Sequence, residues 1–319
     1  MIWIYEEIRI SIFFYYNCML KLILGYKSVN LKNKSEYFLF TSFIKIFNLL
    51  GIKRARHAAH FLAVLFYYII PIRKKTVISN LKLAFPEFSE EKINKIAYRA
   101  YHSFAITIIE IMCMPYLSRD KLKSMVNCPR LDLVRQKYEE NRGVIMLTAH
   151  FGNWELGASS IGAQLNLPIY VAAKPQRNNF VSEWLNMMRE KFGNKVVMLG
   201  MSFRNIFREL KNHHIIGLVG DQRGEPDGPR VKFMGIDSTI YPGSAVLALR
   251  TNAPVIVSIV ARQPDYSYTT FIEVINVEEL EGSEDEKILE INQRYSSILE
   301  SYIRQYPEQW LWMHKRWKY

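Results

Sequence analysis

A histidine and a glutamate five positions apart are the residues of this sequence best placed to do chemistry. The apolar run 144–147 ends just before His150, and Gly152 and Glu155 follow it. Because glycine permits a tight turn, the Glu155 carboxylate can fold back to the imidazole. A carboxylate there fixes the tautomer of the ring and stabilises the imidazolium that forms when the ring takes a proton. A satisfied structural histidine is the competing interpretation of so short a pattern. As a catalytic residue, His150 would act as a general base on a group such as a hydroxyl.

Two other routes to catalysis have no motif in this sequence. A Gly-x-Ser-x-Gly nucleophile elbow is missing, so the activated hydroxyl would react directly, without a covalent enzyme intermediate. Residues 220–224 lack the Gly-Lys-Ser/Thr ending of a phosphate-binding P-loop, and no Gly-x-Gly-x-x-Gly run follows a strand. We therefore expect no nucleotide and no other cofactor.

The cysteines and the paired histidines do not suggest a metal site. Cys18, Cys113 and Cys128 are far apart and odd in number, which indicates ordinary thiols in a reducing compartment. His213 and His214 lie on a predicted turn, without a cysteine or carboxylate at ligand spacing. We expect no metal ion.

From residue 143 onward, short β-branched runs alternate with helical stretches, and this alternation must position the histidine. The predicted strands are 144–148, 169–172, 195–199, 215–219, 255–260 and 270–275, and the predicted helices are 154–165, 180–192, 202–212, 243–251 and 284–306. Such alternation predicts an α/β fold with a mostly parallel or mixed central sheet flanked by helices. In such sheets the functional groups gather at the carboxyl ends of the strands, where His150 lies.

Residues 36–125 are predicted to be helical. The clearest helix begins after Ser89, which can cap it, with Glu90 and Glu91 in the first turn, where negative charge suits the helix dipole. Apolar residues then recur at three- and four-residue steps and give one apolar face. We expect this face to pack on the α/β domain rather than on lipid.

The positive charge of the chain is concentrated in its first two-fifths. The 319 residues carry a net charge of +12, and residues 1–123 hold 19 Lys and Arg against 8 Asp and Glu, which gives +11. This charge alternates with aromatic and aliphatic runs, a combination typical of attachment to an anionic membrane surface. Nucleic-acid binding is a second interpretation of a basic protein, but no nucleic-acid motif accompanies the charge.

No run of the sequence reaches the roughly 20 apolar residues of a spanning helix. The best segments are residues 37–50, which Lys45 interrupts, and residues 61–72, which are uncharged but short. We therefore expect helices that lie in the membrane surface. The domain division that follows is an uncertain segment 1–35, a helical membrane-associating region 36–125 and an α/β domain 126–319. The first segment lacks signal-peptide features, and Met19 is an alternative start.

The six-residue string His150-Phe-Gly-Asn-Trp-Glu155 is far more specific than a bare His-to-Glu spacing. Directly after a strand, it resembles the signature of the lipid A biosynthesis (late) acyltransferase family. Further motifs in the family's order extend the resemblance to roughly residues 70–319. They are Arg73-Lys-Lys-Thr-Val-Ile-Ser-Asn80-Leu-Lys-Leu-Ala-Phe-Pro86, Lys174-Pro175 with Asn178, Arg189-Glu-Lys-Phe-Gly193, Asp221-Gln222, Phe233-Met-Gly235, Thr239, Pro242-Gly243-Ser244 and residues 307–317.

The resemblance implies a glycerolphosphate-acyltransferase-like fold and an acyltransferase at the cytoplasmic face of the bacterial inner membrane. The implied reaction moves a fatty acyl chain from an acyl carrier protein thioester to a hydroxyl group of a lipid A precursor. An alcohol at neutral pH is a poor nucleophile, so a base must remove its proton. The family's pattern implies that His150 is this base and that Glu155 orients it.

The resemblance also implies that Arg189 and Asp221 are active-site residues, with Lys174, Asn178 and Arg223 as weaker candidates for substrate binding. A guanidinium at position 189 could clamp a phosphate or stabilise an oxyanion, and a surface salt bridge is the competing interpretation. Asp221 could hold Arg189 or His150, or cap the loop that follows it. For Trp310 and Trp312 we favour packing over a membrane-interface belt.

Two alternatives remain open. Lys174 stands where the family usually has Arg, and Asn179 stands where Pro is common, so the acceptor could be another glycolipid or an amino-acid lipid. A more distant alternative is a basic membrane-binding protein without catalytic activity. That protein would not depend on His150.

Overall fold

The structure is a computed structural model that describes residues 29–199 and 203–318. Cys18, the alternative start at Met19 and most of the uncertain segment 1–35 lie outside these residues. The helical nature predicted for residues 36–125 is confirmed. The helices of this region are α1 (Val29–Ala55), α2 (Ala58–Val64), α3 (Lys74–Ala84), α4 (Glu90–Cys113) and α5 (Arg119–Met125), with a π-helical turn at Leu65–Ile69 and a 3₁₀ turn at Met114–Tyr116.

The long helix α4 begins where its sequence predicted. The Ser89 hydroxyl accepts a hydrogen bond from the backbone N–H of Lys92 at 3.3 Å, and Glu90 and Glu91 occupy the first turn. Its residues Ile93, Ile96 and Ala100 lie in the same hydrophobic core as the strand residues Ile145 and Val257. The apolar face of α4 therefore packs on the sheet, as expected.

A seven-stranded sheet forms the centre of the molecule, in the order β1-β9-β8-β2-β5-β3-β4. Every neighbouring pair is parallel except β8 and β9. The strands are β1 (Val126–Asn127), β2 (Val144–Thr148), β3 (Ile169–Ala173), β4 (Lys195–Met198), β5 (Ile215–Val219), β8 (Val255–Arg262) and β9 (Tyr268–Ile275). The predicted α/β fold with a mostly parallel, mixed sheet is confirmed.

Within residues 29–199 and 203–318, six more α-helices flank this sheet. They are α6 (Leu131–Glu139), α7 (Trp154–Leu165), α8 (Asn179–Glu190), α9 (Phe203–Lys211), α10 (Gly243–Thr251) and α11 (Glu284–Gln305). Of these, α7 and α10 have the predicted bounds, α8, α9 and α11 differ from theirs by one or two residues, and α6 was not predicted. The parallel strands β2, β5 and β3 end at one edge of the sheet, which collects the residues that follow them.

The glycine-rich segment that follows Asp221 is not a loop along its whole length. Its last part forms a hairpin of β6 (Arg230–Phe233) and β7 (Ile236–Thr239). The turn consists of Met234 and Gly235, which have φ of 54° and 77°. Positive φ at both turn residues is the two-residue turn that matches the twist of a hairpin. Methionine is unusual at such a position, which is why the turn was not recognised.

None of the helices in the described part of the chain is both long enough and apolar enough to cross a membrane. Large apolar side chains are nevertheless exposed along α1, α2 and the turn after it, among them Phe38, Leu49, Phe61 and Ile69. In the segment 307–317, Trp310 and Trp312 are buried in the core. The packing interpretation of these two tryptophans is therefore confirmed.

Candidate active site

His150 and Asp221 lie side by side because they follow neighbouring parallel strands. Thr148 of β2 pairs with Val219 of β5, and each of the two residues comes two positions after that pair. Asp221 Oδ1 lies 2.8 Å from His150 Nδ1, and Asp221 Oδ2 accepts the backbone N–H of His150 at 3.0 Å. The carboxylate therefore fixes both the ring and the backbone of the histidine.

Asp221 remains ionised although it is buried. Burial by itself raises the pKa of the Asp221 carboxyl, but the charge of His150 and hydrogen bonds from His150 and Trp310 lower it to about 2. The indole N–H of Trp310 donates to Oδ2 at 2.9 Å. An ionised acceptor holds the proton of the neutral imidazole on Nδ1, which makes Nε2 the basic atom of the ring.

Glu155 and Arg189 form a second buried pair. Arg189 Nη2 donates to Glu155 Oε1 at 2.6 Å, and Arg189 Nε donates to Oε1 at 3.2 Å and to Oε2 at 3.0 Å. Burial opposes the charge of Arg189, but the Glu155 carboxylate outweighs this and raises the pKa of the guanidinium. The guanidinium is therefore charged, and the geometry is the two-pronged one that suits guanidinium and carboxylate.

The partner of the His150 Nδ1 atom differs from our expectation. We predicted that Glu155 orients the imidazole, whereas Asp221 accepts the hydrogen bond at Nδ1 and the hydrogen bonds of Glu155 go to Arg189. The reason lies in the strand order: β2 and β5 are neighbours, so Asp221 is level with His150, while Glu155 lies in the first turn of α7. Asp221 was expected to bind either Arg189 or His150, and in the structure it binds His150.

The turn between His150 and α7 requires glycine at position 152. Gly152 has φ of +53°, and a Cβ atom there would lie 2.0 Å from the carbonyl oxygen of Val260. The peptide is held on both sides, since Gly152 N donates to Gln309 O at 2.9 Å and the Thr107 hydroxyl donates to Gly152 O at 2.7 Å. The turn is therefore fixed by backbone contacts that no larger residue permits.

Asn153 caps α7 and connects the turn to a buried carboxylate. Its Oδ1 accepts the backbone N–H of Leu156 at 3.0 Å, and its Nδ2 donates to Glu110 Oε2 at 2.8 Å. Glu110 is completely buried in α4 and also accepts a hydrogen bond from Arg56 Nε at 2.8 Å. Glu110 was not among the residues predicted to be functional. A single glutamate between Ile109 and Ile111 on the apolar face of α4 was the available signal.

The weaker candidates lie in different surroundings. Lys174 is exposed directly after β3, at the edge of the sheet where the site lies. Asn178 is buried and caps α8, and Arg223 is half-buried two residues after Asp221. The amide nitrogen of Asn178 donates a hydrogen bond to a backbone carbonyl of α1. Lys174 and Arg223 lie on the segments that follow β3 and β5.

His314 is a further histidine close to this group. Its burial lowers the pKa of the imidazole to about 3, an effect that the charges of His150, Arg223 and Arg316 reinforce and that of Asp221 opposes. His314 is therefore neutral at physiological pH. Its carbonyl oxygen accepts a hydrogen bond from Asn80 Nδ2 at 2.6 Å, which fixes this segment against α3.

A narrow cleft runs from His150 between α4 and the segment 308–313. Apolar side chains form most of its walls, namely Val77, Ala100, Tyr101, Phe104, Trp154, Trp310, Leu311, Trp312 and Met313. The ring of His150 contacts Trp154 edge-on, with 4.9 Å between the ring centroids. Within the ranges 29–199 and 203–318, no group of three or more His, Cys, Asp or Glu could hold a metal ion. The cleft thus presents an apolar surface beside His150, whose Nδ1 atom is held by a carboxylate, and the Glu155–Arg189 pair adds a buried guanidinium to this part of the fold.

Comparison with known proteins places this geometry in a family context. Residues 26–319 match the family model described as bacterial lipid A biosynthesis acyltransferase. A lipid A biosynthesis palmitoleoyltransferase of Escherichia coli (strain K12) is 27% identical over 252 residues, which cover 77% of this chain and 79% of the relative. A lipid A biosynthesis lauroyltransferase of the same strain is 23% identical over 252 residues, with the same coverage. A lipid A biosynthesis acyltransferase of Haemophilus influenzae is 25% identical over 270 residues, which cover 82% of this chain and 84% of the relative.

Proposed function

Because the chain belongs to the bacterial lipid A biosynthesis acyltransferase family, we propose that it transfers a fatty acyl chain from an acyl carrier protein thioester to a hydroxyl group of a lipid A precursor. The family makes the protein an acyltransferase of lipid A biosynthesis. The donor, the acceptor hydroxyl and the roles of individual residues are parts of the proposal. One observation carries it: an ionised carboxylate, Asp221, lies 2.8 Å from Nδ1 of a histidine that follows a central strand.

In the proposed reaction, His150 Nε2 removes the proton of the acceptor hydroxyl while the hydroxyl oxygen attacks the thioester carbon. A tetrahedral intermediate forms with a negative charge on the former carbonyl oxygen. Its collapse breaks the carbon–sulfur bond, and the proton on the imidazolium moves to the departing sulfur. Asp221 stabilises the imidazolium through the hydrogen bond at Nδ1, which is the general role of a carboxylate behind a catalytic histidine.

Arg189 is proposed to supply positive charge to the reacting group. A guanidinium suits either the oxyanion of the intermediate or a phosphate of the lipid acceptor. Glu155 acts through Arg189 in this scheme, because its carboxylate holds the guanidinium with three hydrogen bonds. Lys174 and Arg223 add positive charge on the segments after β3 and β5, and we propose that they bind the acceptor.

The helical region is proposed to attach the enzyme to the cytoplasmic face of the inner membrane. The exposed apolar side chains of α1, such as Phe38 and Leu49, support an orientation in which this helix lies in the lipid surface. The positive charge of residues 1–123 favours anionic lipids and also suits an acidic acyl carrier protein. We propose that the apolar cleft beside His150, which residues of α3 and α4 help to line, forms part of the acyl-binding site.

The test is an acyl transfer assay with purified, detergent-solubilised protein. The substrates are radiolabelled acyl carrier protein thioesters of several chain lengths and the tetra-acylated lipid A precursor. We expect His150→Ala to lower kcat by about 10²–10⁴-fold, the contribution typical of a general base. His57→Ala, at an exposed histidine remote from the cleft, is the matched control and should be fully active.

The same assay addresses the alternatives. A wild-type protein that transfers no acyl chain, or a fully active His150→Ala variant, would disprove the proposed mechanism. The identity of the acceptor is tested by mass spectrometry of lipid A from a deletion strain. We expect each affected lipid A species to lose the mass of one acyl chain. An unchanged set of acyl chains would mean that the acceptor is a different lipid.

A further inference from the structure

The helix α1 connects to both helices that carry the Glu155–Arg189 pair, at the residue that caps each of them. Glu155 lies in the first turn of α7, and Arg189 lies in the last turn of α8. Each helix begins at a buried asparagine, Asn153 for α7 and Asn178 for α8. In both asparagines the amide oxygen caps the helix. The amide nitrogen of Asn178 donates to a residue of α1, and that of Asn153 donates to Glu110, which Arg56 at the end of α1 also binds.

At α8 this connection is direct. Asn178 Oδ1 accepts the backbone N–H of Phe180 at 3.1 Å. Asn178 Nδ2 donates to the carbonyl oxygen of Asn33 at 2.8 Å and to Glu36 Oε2 at 3.1 Å. Asn33 and Glu36 belong to α1, so the beginning of α8 is attached to the first part of that helix. With 1% of its surface exposed, Asn178 makes these bonds away from competing water.

At α7 the connection passes through one carboxylate. Asn153 Nδ2 donates to Glu110 Oε2, and Arg56 Nε donates to Glu110 Oε1, each at 2.8 Å. Arg56 directly follows α1, which has a kink at Gly51 (φ 72°, ψ 152°), so the short part of that helix after the kink is attached to the beginning of α7. Glu110 has no exposed surface. Removal of a partner from such a buried charge costs folding free energy, so this attachment resists being broken.

Two series of contacts connect α1 to the Glu155–Arg189 pair. The first runs from α1 to Asn178 and along α8 to Arg189. The second, from the end of α1, runs through Arg56, Glu110 and Asn153 to Glu155. The hydrogen bonds between Arg189 and Glu155 join the two series. We propose that α1 and Arg56 position the Glu155–Arg189 pair for acyl transfer, so that Glu36, Arg56, Glu110 and Asn178 are positioning residues. The inference rests on the function proposed above.

A small displacement at either cap moves a guanidinium that must match a developing charge. Misplacement of about 1 Å in an active site can cost on the order of 10²-fold in rate. Substrate binding depends on a larger surface and should respond less. A positioning role therefore predicts a fall in kcat with a nearly constant KM, whereas a purely structural role predicts a loss of folded protein with normal kcat per folded molecule.

The first test variant is Asn178→Asp. A carboxylate keeps the oxygen that caps α8, but its second oxygen faces the Asn33 carbonyl and the Glu36 carboxylate, so the attachment to α1 becomes repulsive. We expect kcat to fall by about 10- to 10²-fold, with KM for the acyl donor constant within about 3-fold. The matched control is Asn212→Asp, the same substitution at an exposed turn residue, which should leave both constants unchanged.

Glu36→Gln added to Asn178→Asp provides a rescue. The glutamine amide at position 36 can donate to the aspartate at position 178. This restores a hydrogen bond between α1 and α8, with the donor now on α1. We expect the double variant to recover at least about 5-fold of the lost kcat, because residues in direct contact show coupling that distant residues do not. A double variant no more active than Asn178→Asp would contradict a direct link between these two residues and α1.

Arg56→Lys tests the second series of contacts with a smaller change. The ammonium keeps a positive charge beside Glu110 but loses the planar guanidinium geometry. We expect a fall in kcat of about 3- to 10-fold at constant KM. Arg54→Lys, the same substitution at an exposed residue on α1, is the control. Rates are expressed per folded molecule, measured by near-ultraviolet circular dichroism.

The outcomes separate this inference from the proposed function. If His150→Ala is inactive while Asn178→Asp and Arg56→Lys keep wild-type kcat, α1 does not position the pair and the proposed function stands. If His150→Ala keeps wild-type activity, the catalytic role proposed for His150 is wrong, and if the wild type transfers no acyl chain, the proposed function is wrong. A rise in KM at constant kcat in the two α1 variants would also overturn the positioning role.

Discussion

Asp221 accepts two hydrogen bonds from His150, one from ring Nδ1 at 2.8 Å and one from the backbone N–H at 3.0 Å. The two oxygens of one carboxylate thus orient both the imidazole and the peptide that carries it. This relationship depends on the register of β2 and β5, which pairs Thr148 with Val219. The base of the proposed reaction is therefore held by the central sheet rather than by its own loop.

Asp221→Asn should remove most of the activity. The neutral amide cannot stabilise an imidazolium, and its NH₂ group can force the imidazole into the wrong tautomer. We expect kcat to fall by about 10²–10⁴-fold in single-turnover acyl transfer. Asp227→Asn changes an exposed aspartate in the segment after β5 and serves as the control. Wild-type rates in Asp221→Asn would show that this carboxylate has no part in the reaction.

Trp310→Phe should reduce activity while it preserves most of the packing. The substitution keeps a buried aromatic ring but removes the indole N–H that donates to Asp221 Oδ2 at 2.9 Å. A hydrogen bond to a charged group contributes about 1.5–3 kcal/mol, so we expect kcat to fall by about 10- to 150-fold if the whole contribution is lost from the transition state. Trp312→Phe removes a similar indole bond, to the Pro307 carbonyl at 2.6 Å, and should destabilise the fold without a comparable loss of kcat. Equal kcat losses in the two variants would contradict a specific role for the Asp221 contact.

Substitutions in the Glu155–Arg189 pair should affect the stability of the protein and its activity differently. Glu155→Gln leaves the Arg189 guanidinium buried without its counter-charge, which typically costs about 3–5 kcal/mol of unfolding free energy. Glu155→Gln combined with Arg189→Met removes both charges and should recover much of that loss in urea unfolding. Acyl transfer by the double variant should remain low, because the guanidinium is absent. Recovery of activity together with stability would mean that the pair is only structural.

His314 should make the folded protein sensitive to mild acid. Burial lowers the pKa of His314 to about 3 from 6.5, so the unfolded chain takes up this proton more readily than the folded one. The stabilisation is complete above about pH 6.5 and is lost as the pH falls toward about 3. Thermal unfolding between pH 7 and pH 5 should therefore show a steeper fall in Tm for the wild type than for His314→Gln. Parallel curves for the two proteins would exclude this contribution, and His57→Ala, at an exposed histidine, should follow the wild type.

Gly152→Ala should be far more harmful than Gly235→Ala. Both glycines have positive φ, +53° and +77°, so both alanine variants bear the strain of about 1–2 kcal/mol for a left-handed residue. A Cβ atom at position 152 would also lie 2.0 Å from Val260 O, whereas nothing lies within 4 Å at position 235. Urea unfolding should show the extra loss only in Gly152→Ala. A similar loss in both would mean that the turn can move without cost.

The fold followed the local sequence where hydrophobic periodicity and capping agreed. The β-branched run of β2, the capped start of α4 at Ser89 and the bounds of α7 were all predicted from residues that are neighbours in sequence. The hairpin of β6 and β7 was not, because Met234 adopts positive φ without belonging to the residue types that usually signal such a turn. Local signals thus predicted the main elements but not a turn that tertiary contacts stabilise.

Motifs identified four residues that the structure joins in two pairs, but they did not predict which residue pairs with which. His150, Glu155, Arg189 and Asp221 were identified from motifs, yet the sequence spacing favoured Glu155 as the partner of His150. Which carboxylate reaches the imidazole depends on the neighbour of β2 in the sheet, and sequence separation contains no information on strand order. Glu110 was missed for a related reason, since its partners Arg56 and Asn153 are distant in the chain.

The bond from Trp310 to Asp221 has a consequence for how the protein is made. Ribosomes deliver a chain from its first residue onward, so His150, Glu155 and Arg189 emerge well before the indole that completes their surroundings. Residues 309–311 also pair with the backbone of residues 150–152. A nascent or prematurely terminated chain that ends before this segment would contain His150, Glu155, Arg189 and Asp221. It would lack the indole that holds Asp221, and so His150 would be less firmly oriented. Acyl transfer should therefore begin only once translation has passed this point.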